Sequence, residues 1–385
     1  MSSSKGSRPT ATAESAASQE ILAAVVREPG GPFRLEKLEV ARPGASEVLV
    51  RIVATGVCQT DAHSRDQSYP VPLPVVLGHE GAGIVEQVGD AVTSVSPGDH
   101  VVLSFPSCGQ CVSCLGGDPA NCERGFELSF GAARADGGSP FTDDEVHGYF
   151  FGQSSFATYA LTSERGVVRV PEDVPLEILG PLGCGIQTGA GAVLNSLEVE
   201  PSSSVAVFGV GGVGLAAIMA ARVAGARSII AVDVNDERLA LARELGATHS
   251  LNSRATDDLA AAVREIEPRG VDYVLETTAL PQLLALAVDV LAPMGTAGLI
   301  GGAPAGTTAP IDMNQLLNGG RRLRGIAQGD SVPQVFIPQL IELYRAGRFP
   351  FDRLVSFYDF ADINEAFADT RSGKAIKPVL RIGAA

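Results

Sequence analysis

The segment SVAVFGVGGVGLAAIMAA, residues 204–221, leaves the chain few ways to fold. Its apolar start reads as a buried strand. A glycine-rich turn follows, Gly209-x-Gly211-x-x-Gly214, and then a helix-forming apolar run. Gly209 permits a tight turn, Gly211 lets a pyrophosphate approach the backbone, and Gly214 lets helix and strand pack closely. Gly212 and Val213 complete the turn, where the helix start offers unpaired N–H groups and a positive dipole end to phosphate. A second strand, SIIAVD, ends at Asp233, 19 residues after Gly214. An acidic residue there accepts hydrogen bonds from ribose hydroxyls and repels a 2′-phosphate, which favours NAD over NADP. Arg238, one turn into the next helix, either braces that ribose or faces solvent. The rival reading of Val205–Ala221 is a membrane-spanning helix, but the run is Gly-rich and just under spanning length.

The surrounding sequence fits the dinucleotide reading. Strand patterns at Val205–Phe208, Ser228–Val232, Thr248–Leu251, Asp272–Glu276, Thr296–Ile300 and Leu323–Ile326 alternate with helical ones. The helical stretches are Asp236–Leu245, Asp257–Ile266 and Leu280–Leu291. Such alternation predicts an α/β unit with a doubly wound parallel sheet. From Ile21 to about Gly180 the rhythm differs. Short β-like runs such as EVLVRIVATG (47–56), GAGIVEQVG (81–89), DHVVLS (99–104) and GVVRVPE (166–172) are punctuated by Gly and Pro, as in a mostly-β unit. The tail from about Gln328 carries an amphipathic helix, Pro333–Ala346, and strand-like runs that either extend the parallel sheet or return to the first unit.

Charge narrows the class of partner. With 29 basic and 44 acidic residues the net charge is −15, which argues against nucleic acid or an anionic membrane. The start, MSSSKGSRPTATAESAASQE, has no apolar stretch, so residues 1–19 are expected to form a disordered arm and not a secretory signal. That places the six cysteines in a reducing cytoplasm, where close spacing favours metal over disulfide.

Four of them, Cys108, Cys111, Cys114 and Cys122, fall within fifteen residues. Four thiolates at loop spacing fill a tetrahedral zinc and leave no open position, the mark of a structural site. An iron–sulfur cluster is the alternative these ligands allow. Cys58 and Cys184 remain, with His79 between them in sequence. Together they offer three ligands, the number a catalytic zinc uses while keeping one position open.

These residues carry a resemblance. Gly78-His79-Glu80-x2-Gly83-x5-Gly89 is similar to the zinc signature of the medium-chain alcohol dehydrogenases. GVCQTDAH (56–63), the four-cysteine loop, GCGIQTGAGAV (183–193) and GVGGVG resemble that family in the family's order, over nearly the whole chain after residue 20. FFGQSSFATYAL (150–161) and the segment 329–360 look most like aryl-alcohol (benzyl-alcohol) dehydrogenases, with enzymes of allylic terpene alcohols such as geraniol sharing much of the pattern.

The resemblance implies a GroES-like, mostly-β catalytic domain made of residues 20–186 and 328–385. It implies a Rossmann NAD-binding domain over 187–327. It places a catalytic zinc on Cys58, His79 and Cys184, with Glu80 adjacent and Asp61 behind His79, and a structural zinc on the four-cysteine loop. The activity implied is reversible oxidation of a primary alcohol to an aldehyde, the proton leaving through Thr60, the nicotinamide ribose and His63. Thr188 would support the nicotinamide. Gln59 stands where some members carry an arginine on the pyrophosphate, and Lys377 would supply that cation instead. Ser104, Tyr69, Phe150 and Phe151 would shape the alcohol pocket, the small Ser104 leaving room for a ring. The segment from Glu123 to Pro140 resembles an extension of dimeric members, so a homodimer is expected, with a homotetramer as the alternative. Terpene or aliphatic alcohols are the rival substrates. A nucleotide-binding protein of the same fold without catalysis is the rival class, against which the full ligand set argues. Loss of a loop cysteine is expected to cost stability first and activity only as a consequence.

Overall fold

The β-like runs of the N-terminal half do form strands: β1 (Gln19–Val26), β2 (Arg34–Val40), β3 (Glu47–Gly56), β4 (Val75–Val76), β5 (Gly81–Val88), β6 (His100–Leu103), β7 (Tyr159–Ser163) and β8 (Val167–Arg169). The computed structural model describes residues 18–134, 136–143 and 145–383. Most of the expected N-terminal arm, residues 1–17, lies outside them, and Gln19, its last residue, already opens β1. β1 pairs antiparallel with β2 on one edge and β4 on the other. β3 is buried at all but Arg51, so both of its faces are covered. It pairs with β5 and β7, and two register shifts against β5 bend the ladder there.

The second half alternates as its sequence predicts. Its strands are β9 (Ser204–Phe208), β10 (Ser228–Asp233), β11 (His249–Asn252), β12 (Val271–Glu276), β13 (Leu291–Leu299) and β14 (Arg322–Gly325). They form one sheet in the order β11-β10-β9-β12-β13-β14, parallel throughout. The sheet is wound outward in both directions from β9, so a crevice opens at the carboxyl ends of β9 and β12, where the winding reverses.

Local chemistry sets the element ends. Asn235 caps the helix Asp236–Leu245 by accepting from the N–H groups of Glu237 and Arg238. Asp258 caps the next helix, which therefore starts at Leu259 and not at Asp257. β13 starts at Leu291, five residues before its expected start. The pairing with β12 jumps from Val271↔Leu291 to Tyr273↔Thr296, and the bulge is made with Met294 at φ 67°. The preceding helix accordingly ends at Asp289.

The tail returns to the first unit. β15 (Val355–Asp359) pairs with β16 (Lys377–Arg381), and β16 runs antiparallel to β3, with Val379 opposite Gly56. The expected helix forms over Pro333–Arg345 and buries Phe336, Ile337, Leu340 and Ile341. One apolar cluster runs from Val53 and Val102 of the β unit through Leu215–Ala221 to Ile337 and Phe351. Each fully buried side chain of that size contributes about 1.5–3 kcal/mol, so the two halves share a core. Among the described residues no helix is long and apolar enough to cross a membrane, and Val205–Ala221 is instead β9, the glycine turn and the start of the helix Gly212–Ala224.

Candidate metal centres and coenzyme cleft

The first metal cluster is assembled by one carboxylate. Asp61 lies in the first turn of the helix Gln59–Arg65 and is fully buried. Its Oδ2 accepts the Cys58 N–H at 3.0 Å. Its Oδ1 accepts the Gly78 N–H at 3.1 Å and lies 2.9 Å from His79 Nδ1. The bond fixes a tautomer with hydrogen on Nδ1 and aims Nε2 away from Asp61. Nε2 is buried and has no protein partner.

Cys184 arrives from the other side, because Gly183 rides directly on β6: a Cβ there would stand 2.0 Å from Leu103 O. The donor atoms of Cys58, His79, Glu80 and Cys184 all lie within 4.8 Å of one another. A hydrogen bond from Cys184 holds the Cys58 thiol well below its usual range. Burial pushes the His79 imidazolium down, but Asp61 and Cys58 outweigh it and its pKa stands well above the ordinary value. The cluster thus demands positive charge at an orphaned imidazole nitrogen beside two sulfurs, the donor set that suits zinc.

Glu80, the fourth donor of the cluster, is paired with a buried lysine. Lys377 Nζ donates to its Oε1 at 2.8 Å and Oε2 at 3.0 Å, and to Val57 O at 3.3 Å. Burial pushes the Glu80 carboxyl up, and Lys377 pulls against it. Lys377, expected at the coenzyme phosphates, thus stands between the metal cluster and the glycine turn. All three of its N–H bonds are taken, so the ammonium serves the metal cluster, and only its stem lies against the glycine turn, 3.6 Å from a Cβ placed at Gly212.

The second cluster is the four-cysteine loop. The Sγ atoms of Cys108 and Cys114, and of Cys111 and Cys122, are each 4.0 Å apart. Backbone N–H groups of Gln110 and Cys111 point at Cys108 Sγ, both at 3.4 Å, and lower its pKa to about 6. Such N–H···S contacts favour thiolates, as a tetrahedral ion requires. Gly109, at φ 72°, packs against the Arg165 guanidinium.

The coenzyme groove follows the glycine turn. Gly209 has φ 87°, and a Cβ at Gly214 would stand 2.0 Å from Gly209 O. A Cβ at Gly211 would meet nothing within 4 Å, which leaves its backbone open to a phosphate. Asp233 caps the turn through the Val210 N–H at 2.8 Å. Arg238 lies beside Gly373, and its Nε is buried without a partner. Thr188 Oγ1 donates to Cys184 O at 2.8 Å and lies 3.2 Å from Gln328 Oε1.

A cleft of about 780 Å³ brings these parts together. Cys58, Gln59, Thr60, His63, Cys184, Thr188 and Val213 all open onto it. Tyr69 and Phe151 line it as expected, but Phe150 and Ser104 do not. Phe150 is fully buried behind the wall, its ring 5.7 Å from that of His79. The Ser104 hydroxyl donates to Gly183 O at 2.8 Å and accepts from Gln187 Nε2 at 2.7 Å, so it braces the Cys184 segment and makes no room for substrate.

Phe105, Phe126 and Phe130 take those places. Phe130 packs edge-on to Tyr69 at 5.4 Å and to Phe151 at 5.2 Å, and Phe151 stacks on His79 at 4.6 Å. The i, i+4 spacing of Phe126 and Phe130 in FELSF was the signal for this wall. Sequence reasoning also missed Gln153, which is buried and holds the backbone at His79 and Gly81 through both ends of its amide.

Known proteins share this arrangement. Residues 44–172 match the alcohol dehydrogenase GroES-like domain, and residues 212–345 match the zinc-binding dehydrogenase family. The chain is 49% identical over 361 residues to geraniol dehydrogenase of Castellaniella defragrans, spanning 93% of this chain and 96% of that protein. The solved benzyl alcohol dehydrogenase of Acinetobacter calcoaceticus is 50% identical, with a TM-score of 0.93, over 95% of this chain and all of that one. A zinc-binding-domain alcohol dehydrogenase protein of Burkholderia ambifaria is 55% identical, with a TM-score of 0.93 and the same coverage. With two cysteine-rich clusters, a dinucleotide turn and homology along nearly its full length, the chain belongs to the zinc-dependent medium-chain alcohol dehydrogenases.

Proposed function

We propose that the protein oxidises primary aromatic or allylic alcohols to aldehydes with NAD, and reduces them in reverse. The observation that carries this reading is the ring-walled cleft, with Tyr69, Phe130 and Phe151 close to the Cys58–His79–Cys184 cluster. Aromatic faces suit flat, apolar ligands. The geraniol and benzyl alcohol relatives support the same class, the first allylic and the second aromatic.

A bound zinc supplies the Lewis acidity that makes an alcohol proton acidic near neutral pH, and the nicotinamide supplies the hydride acceptor. The protein's own work is to orient and to move a proton. Cys58, His79 and Cys184 would hold the ion. Asp61 keeps Nε2 of His79 directed at it. Thr60 and His63 open onto the cleft, a hydroxyl that can take a proton at Oγ1 and an imidazole that can release it. Thr188 backs the nicotinamide end. Asp233 selects NAD, because its carboxylate would face a 2′-phosphate.

In this reading residues 20–186 with 328–385 are the catalytic unit and 187–327 the coenzyme unit. Each chain carries two zinc ions, and the enzyme works in the cytoplasm as a homodimer. The dimer is supported by β14, an open and wholly exposed edge strand beside exposed Met294, Met313 and Leu317. Comparison of kcat/KM for benzyl alcohol, geraniol and ethanol, each with NAD and NADP, tests the proposal. A clear preference for ethanol, or for NADP, refutes the corresponding part. Cys58→Ala should abolish turnover and leave NAD binding in place, and retained turnover would refute the mechanism.

A further inference from the structure

Glu276 ends β12 at the crevice and is fully buried, yet no step above uses it. Its backbone carbonyl accepts the N–H groups of Ile300 at 2.9 Å and Gly301 at 3.2 Å. Its carboxylate accepts three more donors from the following turn. Thr278 N–H at 2.7 Å and the Thr278 hydroxyl meet Oε1, and Ala279 N–H at 3.1 Å meets Oε2. Both segments held in this way, Thr277–Ala279 and Ile300–Gly301, line the same cleft as Thr188 and Val213.

The turn is tied in two further directions. Thr277 Oγ1 contacts Phe208 O at 3.0 Å and Gly209 O at 2.8 Å, so it braces the first glycine of the coenzyme turn. Ala279 adopts φ 62° and presses on Gly301, where a Cβ would stand 2.4 Å from Ala279 N. A non-glycine residue holds that conformation only where its surroundings impose it, and here the imposing group is the Glu276 carboxylate.

We propose that Glu276 is a positioning residue for the nicotinamide half of the coenzyme, fixing both loops of the crevice through its two carboxylate oxygens and its carbonyl. The inference rests on the dinucleotide reading of the cleft. It requires a carboxylate specifically. Donors face both oxygens, and an amide would have to set its NH2 against one of them.

The test is NADH fluorescence titration of the full-length, zinc-loaded chain and of Glu276→Gln, alongside steady-state kinetics and thermal melts. The substitution leaves one buried donor unsatisfied, and we expect the Kd for NADH and the KM for NAD to rise about tenfold. At saturating NAD, the KM for alcohol should stay within about twofold. A variant with a lowered Tm and unchanged NADH affinity would make Glu276 a fold residue only and overturn the proposal. Should Glu276→Gln fail to fold, Glu276→Asp keeps both oxygens but is one methylene shorter, and its NADH Kd should rise about threefold; an unchanged Kd there overturns the proposal equally. A wild-type chain that takes up no NADH overturns the dinucleotide reading itself, an outcome distinct from wild-type uptake with unaltered variants.

Discussion

At the scale of single residues, the first metal cluster depends on Asp61 more than its position in the sequence suggests. It joins two chain segments, one at Cys58 and the other at Gly78 and His79. Asp61→Ala should weaken zinc at that cluster about 10–100-fold while the four-cysteine ion stays bound, read by chelator competition on the two metals separately. The four-cysteine loop was legible from spacing alone, whereas Cys58, His79 and Cys184 lie far apart in sequence and were brought together by the family resemblance. The partners of Lys377 and Ser104 were hidden. A lysine or a serine means what its partners make it mean, and these partners, Glu80 and the pair Gly183 and Gln187, are 297, 79 and 83 residues away. The wall at Phe130 was only half visible: FELSF puts Phe126 and Phe130 on one helix face, but nothing in it says that Tyr69 and Phe151 converge there.

At the scale of elements, the glycine turn and the segment after the four-cysteine loop carry the sharpest expectations. A methyl at Gly214 would drive the helix Gly212–Ala224 away from Gly209 O. Gly214→Ala should therefore destabilise by about 1–3 kcal/mol and lower NADH affinity together, seen by melting and titration on the same sample. Four residues after the helix Gly125–Phe130, which supplies Phe126 and Phe130, Arg134 ties the chain to the β unit. That guanidinium makes a two-point pair with the buried Glu47 carboxylate, which also accepts the Gly44 N–H at 2.8 Å and the Tyr149 hydroxyl at 3.2 Å. Arg134→Met leaves that carboxylate unpaired and should cost about 3 kcal/mol. It should also raise KM for benzyl alcohol more than for ethanol, because the wall it releases touches only the larger substrate. Repeating strand and helix patterns made the parallel sheet readable in advance. The β13 bulge was not readable, because it arises where β13 must keep step with β12, a tertiary demand.

At the scale of the whole molecule, the exposed β14 edge and its apolar neighbours predict a two-chain particle by light scattering. Leu317→Lys together with Leu323→Glu should shift it toward single chains. The four-cysteine loop has a wider reach than a fastening of its own residues. Pro119, Ala120, Asn121 and Cys122 line the cleft, and the Asn121 amide reaches Asp330 at 3.3 Å, two residues past Gln328 and its contact with Thr188. An ion held by the loop would therefore fix one wall of the cleft in place. Loss of the ion alone, with its four cysteines in place, has selectivity as its expected first readout. A stored or partly oxidised preparation that has lost only this ion should drift in selectivity, its ratio of benzyl alcohol to ethanol turnover falling before its melting curve moves. That ratio becomes a practical gauge of ageing in the enzyme, sensitive to damage that a protein assay would pass over.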